Sequence, residues 1–428
     1  MATTQQKARY TGSDTEGGIT SSYELDDGVK LKVKYSFFGS IYDEDEEQMA
    51  LEAMRQDTLT MGPQVAAFQK EFASMCGVAH AFAVSNCTTA MHVATQLFDI
   101  RPGDEVIVTP NTFIATSLVI LKEGGTPVYA DIDPKTYNID PLEIEKKITS
   151  KTRAIYVVHY AGLVCDMDPV MEIARKHGLF VLEDCAHAPG ATYKGRKAGS
   201  IGDVGCFSFH SLKNMTTCGE GGMITTNNSE FVDPIEKLRC MNLDHWKDQV
   251  DYWIPSHFDV VDVNGRWGNN YRMNEVQAAV GRAQLRKLDM LNAKRRDLGR
   301  RISDGIRDIP GITPVYEPGD DYEHVYHLYT LCVEEEELGA SRDDFMRVLY
   351  KEEGVQGILH YQPTYHFTGL RRMGYAQEQC PNAEKFFYRR ELNLPMHPRL
   401  TDQEIEDTIT GIRNAAEKVR GKNRRVPR

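Results

Sequence analysis

From His80 onward the chain alternates short apolar runs with amphipathic stretches. The runs His80–Ser85, Glu105–Thr109, Thr126–Asp131, Ala154–Tyr160, Leu179–Asp184, Gly205–His210 and Met223–Thr226 have the length and β-branched or aromatic content of strands. Helical spacing of apolar residues falls between them, at Ala90–Phe98, Thr116–Glu123, Pro141–Lys147 and Pro169–His177. This alternation predicts an α/β fold with a mixed, mostly parallel sheet, in which ligands sit beyond the carboxyl ends of the strands. Upstream, helices are expected over Glu47–Arg55 and Gln64–Met75, the second with Val65, Phe68 and Phe72 on one face. Downstream, Glu275–Ile309 predicts a long helical stretch with a break, striped by Leu285, Leu288 and Leu291 and stopped by Pro310-Gly311. A smaller α+β unit follows: strand Tyr326–Val333, helix Arg342–Glu353, strand Gln356–His360 and a last helix begun by the capping box Thr401-x-x-Glu404. Residues 1–35 are polar and predict a flexible extension, 36–274 a large domain, and 275–428 a linker helix with a small C-terminal domain.

Composition narrows the classes of function. The 428 residues are 41% hydrophobic and 26% charged, as in a globular protein. No apolar run could span a bilayer, and the first thirty residues lack a signal core, so a cytoplasmic protein is expected. The nine cysteines are scattered and never spaced Cys-x-x-Cys, which predicts free thiols and no zinc. A net charge of −12 disfavours nucleic acid, and the basic tail Lys422, Arg424, Arg425 and Arg428 reads as a solvated end.

The strand ends carry the candidate chemistry. After Gly205–His210 the chain enters a polar loop with one lysine, Lys213, and closes on the glycine turn Gly219–Gly222. Most loop lysines are solvated. One held against apolar walls loses hydration of its charge, and only the neutral amine attacks a carbonyl. Strand His80–Ser85 runs through Ser85-Asn86-Cys87-Thr88-Thr89 into a helix, either an ordinary cap or a phosphate cup of free N–H groups and threonine hydroxyls. Strand Leu179–Asp184 delivers Asp184, with His187 just beyond; such a carboxylate meets a salt-bridge partner, a helix cap or a protonated ring nitrogen. Phe113, in Pro110-Asn111-Thr112-Phe113, is either packing or a stacking face. Together these are the groups that pyridoxal 5'-phosphate requires. No GxGxxG follows the first strand and no Walker motif occurs, which disfavours dinucleotide or nucleoside-triphosphate chemistry.

In order along the chain stand MGPQVAAFQKEFA, SNCTTAMHVA, TPNTFIAT, EDCAHAPGA, FSFHSLKNMTTCGEGG, NNYRMNEVQAAVGRAQL, HLYTL and LPMHPRLTDQE. In these motifs the sequence resembles the DegT/DnrJ/EryC1/StrS family of pyridoxal-phosphate aminotransferases, from about Phe37 to about Val419. The resemblance implies the aspartate-aminotransferase type of fold (type I), a homodimer with shared sites, and amino transfer from glutamate or glutamine to a cyclic ketone. A nucleotide-linked keto sugar is the first expectation and a cyclitol ketone the alternative. It further implies that Lys213 holds the cofactor as a Schiff base, Asp184 pairs with its ring nitrogen, His187 meets the ring hydroxyl and Phe113 stacks on the ring. Thr88, Thr89 and Ser208 would bind phosphate with Asn270 of the partner subunit, and His327, Tyr329, His360 and Tyr361 would face substrate. A dehydratase branch of the family has histidine in place of the lysine, so Lys213 argues against it. Two departures stand out: Cys87 replaces the usual glycine, and His187 stands where many members have glutamine, making that contact pH-sensitive. Acceptor choice is expected to rest on loops Met241–Val263 and Pro363–Gly374, with Trp246, Tyr252, Trp253 and Tyr365.

Overall fold

The computed structural model describes residues 9–15, 18–24, 28–245, 258–376 and 379–423. The central sheet has seven strands, labelled here in chain order: β1 His80–Val84, β2 Glu105–Val108, β3 Thr126–Tyr129, β4 Thr152–Val158, β5 Phe180–Asp184, β6 Val204–Ser208 and β7 Gly222–Thr226. Their order across the sheet is β1-β7-β6-β5-β4-β2-β3. All neighbours are parallel except β7, which runs antiparallel to both β1 and β6. The central strands are buried on both faces, which is why they read as continuous apolar runs rather than alternating ones.

One apolar core lies on each face of this sheet. Helices Pro63–Cys76 and Met167–His177 supply Phe68, Phe72, Val170 and Ile173 to one. Helices Cys87–Leu97, Ala115–Lys122 and Val232–Arg239 supply Met91, Val93, Val119, Ile120, Ile235 and Leu238 to the other. A third core gathers around a small sheet in which Tyr329–Val333 pairs with Ile312–Thr313 and Glu391–Leu394. The helix Glu275–Ile306 serves two cores, with Ala278 and Leu288 in the first and Leu298, Ile302 and Ile306 in the third. Its N-terminus is fixed by a capping box of Asn274 and Gln277. The expected capping box at the last helix is also present, with Glu404 accepting from the Thr401 N–H and hydroxyl, and Ile405 and Ile412 are fully buried.

Several expectations on elements need correction. The long helix is continuous over 32 residues, because no Pro or paired Gly/Ser interrupts its hydrogen bonds. Gln356–His360 is not a strand; only Ile358 bridges Asn393, and the strand that pairs with Tyr329–Val333 is Glu391–Leu394. In the N-terminal stretch, Arg9–Thr15 pairs with Gly18–Glu24, and Val33 is buried and bridges Val355. The chain is therefore docked by Val33, a few residues before polar composition predicted. Trp246, Tyr252, Trp253 and residues 424–428 of the basic tail lie outside the described residues. No helix among the described residues is long and apolar enough to cross a membrane.

Candidate active site

The predicted groups converge beyond the carboxyl ends of β1, β2, β5 and β6. β6 ends at Ser208, and the loop that follows is held by short-range backbone bonds. Lys213 N–H donates to His210 O (2.9 Å), Thr217 N–H to Phe209 O (3.0 Å) and Phe209 N–H to Gly221 O (2.8 Å). Gly222 then passes so close to the start of helix Cys87–Leu97 that a Cβ there would lie 2.4 Å from the carbonyl carbon of Asn86. From the other side the N-terminal segment presses on the same loop, since a Cβ on Gly39 would lie 2.1 Å from Leu212 O and 2.5 Å from Lys213 O. The lysine is thus gripped between two backbone approaches that only glycine permits.

Lys213 is half-buried, and desolvation drives its amine down to about 8 against the opposing pull of Asp184 and Cys87. Asp184 is buried, which raises its carboxyl, while donors oppose the rise: Ala186 N–H to Oδ1 (3.1 Å) and the Thr116 hydroxyl to Oδ2 (2.9 Å). Cys87, which stands where the family has glycine, turns its thiol inward, with Sγ 3.9 Å from Asp184 Oδ1.

At the helix start, Asn86 Oδ1 accepts from Thr89 N–H (2.9 Å) and the Thr89 hydroxyl donates back to Asn86 O (2.8 Å). The cap consumes Thr89, leaving the N–H groups of Cys87 and Thr88, which have no helical carbonyl behind them, and the Thr88 hydroxyl for an anion. Ser208 lies beside them at the end of β6, buried, its Oγ 3.4 Å from His210 N.

His187 and His327 stack with ring centroids 4.2 Å apart. His187 Nε2 is 3.1 Å from the Tyr361 hydroxyl, and its buried Nδ1 has no partner among the described residues. His327 Nδ1–H donates to Asn214 Oδ1 (3.1 Å), because the Asn214 amide is already turned to Asn292 Oδ1 and Val325 O. Burial, then Lys213, push His187 well below its ordinary range; His327 shifts the same way by burial and by His187, and His360 is lowered to about 4 by burial and Lys213. Burial and the nearby Lys213 thus disfavour the protonated form of His187, the form on which a pH-sensitive contact depends. Phe113 is 61% exposed with its ring 6.4 Å from that of Tyr361, a face free for a flat ligand.

Tyr329 is not brought to this site. It is fully buried in the third core, its hydroxyl 2.9 Å from Ser303 Oγ on the long helix, because the strand it opens pairs away from the cleft. Tyr365 is likewise buried and donates to Glu384 (2.7 Å). Asn270 is exposed on the segment beside the end of β1, where its Oδ1 accepts from Arg272 (3.0 Å). Sequence reasoning missed Thr116 and Asn214; the Thr112/Thr116 spacing of four at a helix start was the available signal for the first.

A second titratable cluster, His159, Glu183 and Cys185, has the proximity of a metal site. Its donors are already spent. His159 Nε2–H donates to Glu183 (2.9 Å) while Nδ1 accepts Cys165 N–H (3.1 Å), and Glu183 also accepts from Gly199, Ile201 and Gly202. Burial acts to raise Glu183, but these donors, His159 first, carry it below the usual carboxylate value. The cluster is a fastening under the β4 and β5 ends.

Comparison with known proteins matches this architecture throughout. Residues 40–413 match the model of the DegT/DnrJ/EryC1/StrS aminotransferase family. The chain is 40% identical over 379 residues to the spore coat polysaccharide biosynthesis protein SpsC of Bacillus subtilis (strain 168), covering 86% of this chain and 94% of that protein. It is 36% identical to GDP-perosamine synthase of Caulobacter vibrioides, covering 86% and 95%. The solved aminotransferase from Psychrobacter cryohalolentis superposes with a TM-score of 0.84 at 32% identity, covering 90% of this chain and 100% of that one. The sheet, the helices on its faces and the strand-end cleft are those of fold type I aminotransferases, and the chain belongs to the DegT/DnrJ/EryC1/StrS aminotransferase family.

Proposed function

We propose that the protein transfers an amino group from glutamate or glutamine to a keto sugar, carried as a nucleotide-linked keto-deoxysugar, with pyridoxal 5'-phosphate as cofactor. The observation that carries this reading is Lys213, an amine lowered to about 8, set within electrostatic reach of the buried, donor-supported Asp184. The residues fit the cofactor. Lys213 would hold it covalently, Asp184 would face its ring nitrogen, and the orphaned Nδ1 of His187 would meet its ring hydroxyl. Phe113 would cover its face. Ser208, Thr88 and the free N–H groups of the helix start would take its phosphate, with Asn270 of the partner subunit completing the cup in a homodimer.

Bound there, pyridoxal phosphate supplies an electron sink for the carbon that loses its proton. The chain's own part is proton management. An amine lowered to about 8 gives up its proton far more readily than a solvated lysine, so Lys213 Nζ can accept the α-proton of the donor and return a proton to the carbon being aminated. Asp184 carries two donors that favour its carboxylate form against the upward push of burial, and a carboxylate there favours a protonated partner opposite it. His187, His327, His360 and Tyr361 line the cleft with hydrogen-bonding groups whose burial disfavours charge, which suits the hydroxyls of a sugar ring.

The choice of a sugar is supported by the relatives, one named for GDP-perosamine synthesis and one for polysaccharide biosynthesis. The test is a panel of nucleotide-linked keto sugars and inososes with glutamate or glutamine as donor, and mass identification of the product. An aminated nucleotide sugar is expected; amination of inososes alone would replace the acceptor with a cyclitol.

A further inference from the structure

Asp184, a buried acid of the cleft, has polar partners on both carboxylate oxygens. Its Oδ1 takes the N–H of Ala186 at 3.1 Å and faces Cys87 Sγ at 3.9 Å, while Oδ2 takes the Thr116 hydroxyl at 2.9 Å. Behind it, Thr116 Oγ1 lies 2.8 Å from Thr112 Oγ1 and 3.3 Å from Phe113 O. All three side chains, Thr112, Thr116 and Asp184, are buried.

Each hydroxyl has one proton to give. If Thr116 gives its proton to Asp184, Thr112 must donate to Thr116, and the carboxylate sits at the accepting end of a two-hydroxyl chain. If Thr116 gives its proton to Phe113 O instead, Asp184 Oδ2 has no donor there unless the acid is itself protonated. The first arrangement uses the short contacts and leaves the longer carbonyl contact at 3.3 Å idle. Thr112 and Thr116 also bracket Phe113, so the same pair fixes the loop that presents the aromatic face.

We propose that Thr116, oriented by Thr112, is a positioning residue for the amino transfer: its hydroxyl holds Asp184 as a correctly turned carboxylate toward the cofactor ring. This rests on the aminotransferase reading of the site and assigns a role to a residue outside the lysine–aspartate pair. A charge-assisted hydrogen bond is among the stronger ones, and valine keeps the shape of threonine while removing the donor.

The experiment uses the full chain and two probes, pyridoxal 5'-phosphate and pyridoxamine 5'-phosphate, with affinity read by fluorescence and the visible band of the lysine-bound cofactor recorded. Thr116→Val is expected to weaken both affinities about tenfold or more and to alter the band, whereas Thr116→Ser behaves as wild type. Thr112→Val, which leaves Thr116 in place but unoriented, gives a smaller loss of the same sign and serves if Thr116→Val does not fold. Wild-type affinity and band in Thr116→Val and in Thr112→Val overturn the proposal. So does a Thr116→Ser chain as impaired as the valine variant, which would mean packing and not the hydroxyl matters. A wild-type protein with no visible band at all would remove the reading of the site, and this inference with it.

Discussion

At the scale of single residues, folding has made Lys213 a weaker base than it is in an unfolded chain. Its amine falls from about 10.4 to about 8, with burial as the main cause. Between those values the unfolded chain holds more protons than the folded one, so folding stability rises with pH through that window. Below about 8 the burial of charge costs its full amount. Lys213→Met, which removes the charge at similar length, is therefore expected to raise the melting temperature of the cofactor-free protein at pH 7. The advantage should shrink as pH climbs from 8 toward 10. A melting curve for the variant at or below wild type at pH 7 would contradict the desolvation account. Lys213, Asp184 and His187 were legible in the sequence because each sits where a readable strand ends. Thr116 was not assigned a role, because a hydroxyl's partner is set by the crossing of β2 and β5 loops and not by its neighbours in sequence. Tyr329 was misplaced for the complementary reason: it follows His327 by two residues, yet the chain enters a strand between them and carries it into another core.

At the scale of elements, the loop of Lys213 is the meeting point of three segments. Gly222 brings β7 against the cap of helix Cys87–Leu97, and Gly39 lays the N-terminal segment across Leu212 and Lys213. Arg295 of the long helix, fully buried, fastens this crossing by donating to the carbonyls of Gly39, Tyr326 (2.9 Å) and Met396 (3.0 Å). Gly39→Ala must displace backbone and not a side-chain tip, so a loss of about 1–3 kcal/mol is expected, with weaker cofactor retention. Gly421→Ala, where the added carbon meets nothing, serves as the control and should be neutral or slightly stabilising. Equal denaturation midpoints for Gly39→Ala and wild type would show that the strap yields freely. The strands of the central sheet were readable because burial on both faces leaves continuous apolar runs. The edge pieces were not. Gln356–His360 has strand-like composition but spends its backbone on a single bridge and on contacts around His360 and Tyr361. Glu391–Leu394 alternates polar and apolar residues, but over only four positions and directly behind a run of aromatic and charged ones, too short to stand out as a strand.

At the scale of the molecule, the family match spans residues 40–413, and the long helix ties the sheet that carries the cleft to the small sheet behind it. Cleft residues come from both: Asp184, Lys213 and Phe113 from the large sheet's strand ends, His327, His360 and Tyr361 from the segments leading into and out of the small one. All of these groups converge on one lysine, Lys213. The most direct test is spectroscopic, on purified full-length protein given pyridoxal 5'-phosphate. A visible band is expected that disappears on adding glutamate or glutamine and returns on adding a competent keto sugar, with no such band in Lys213→Ala. A band of the same intensity in Lys213→Ala, or a wild-type band that neither donor changes, would contradict this expectation.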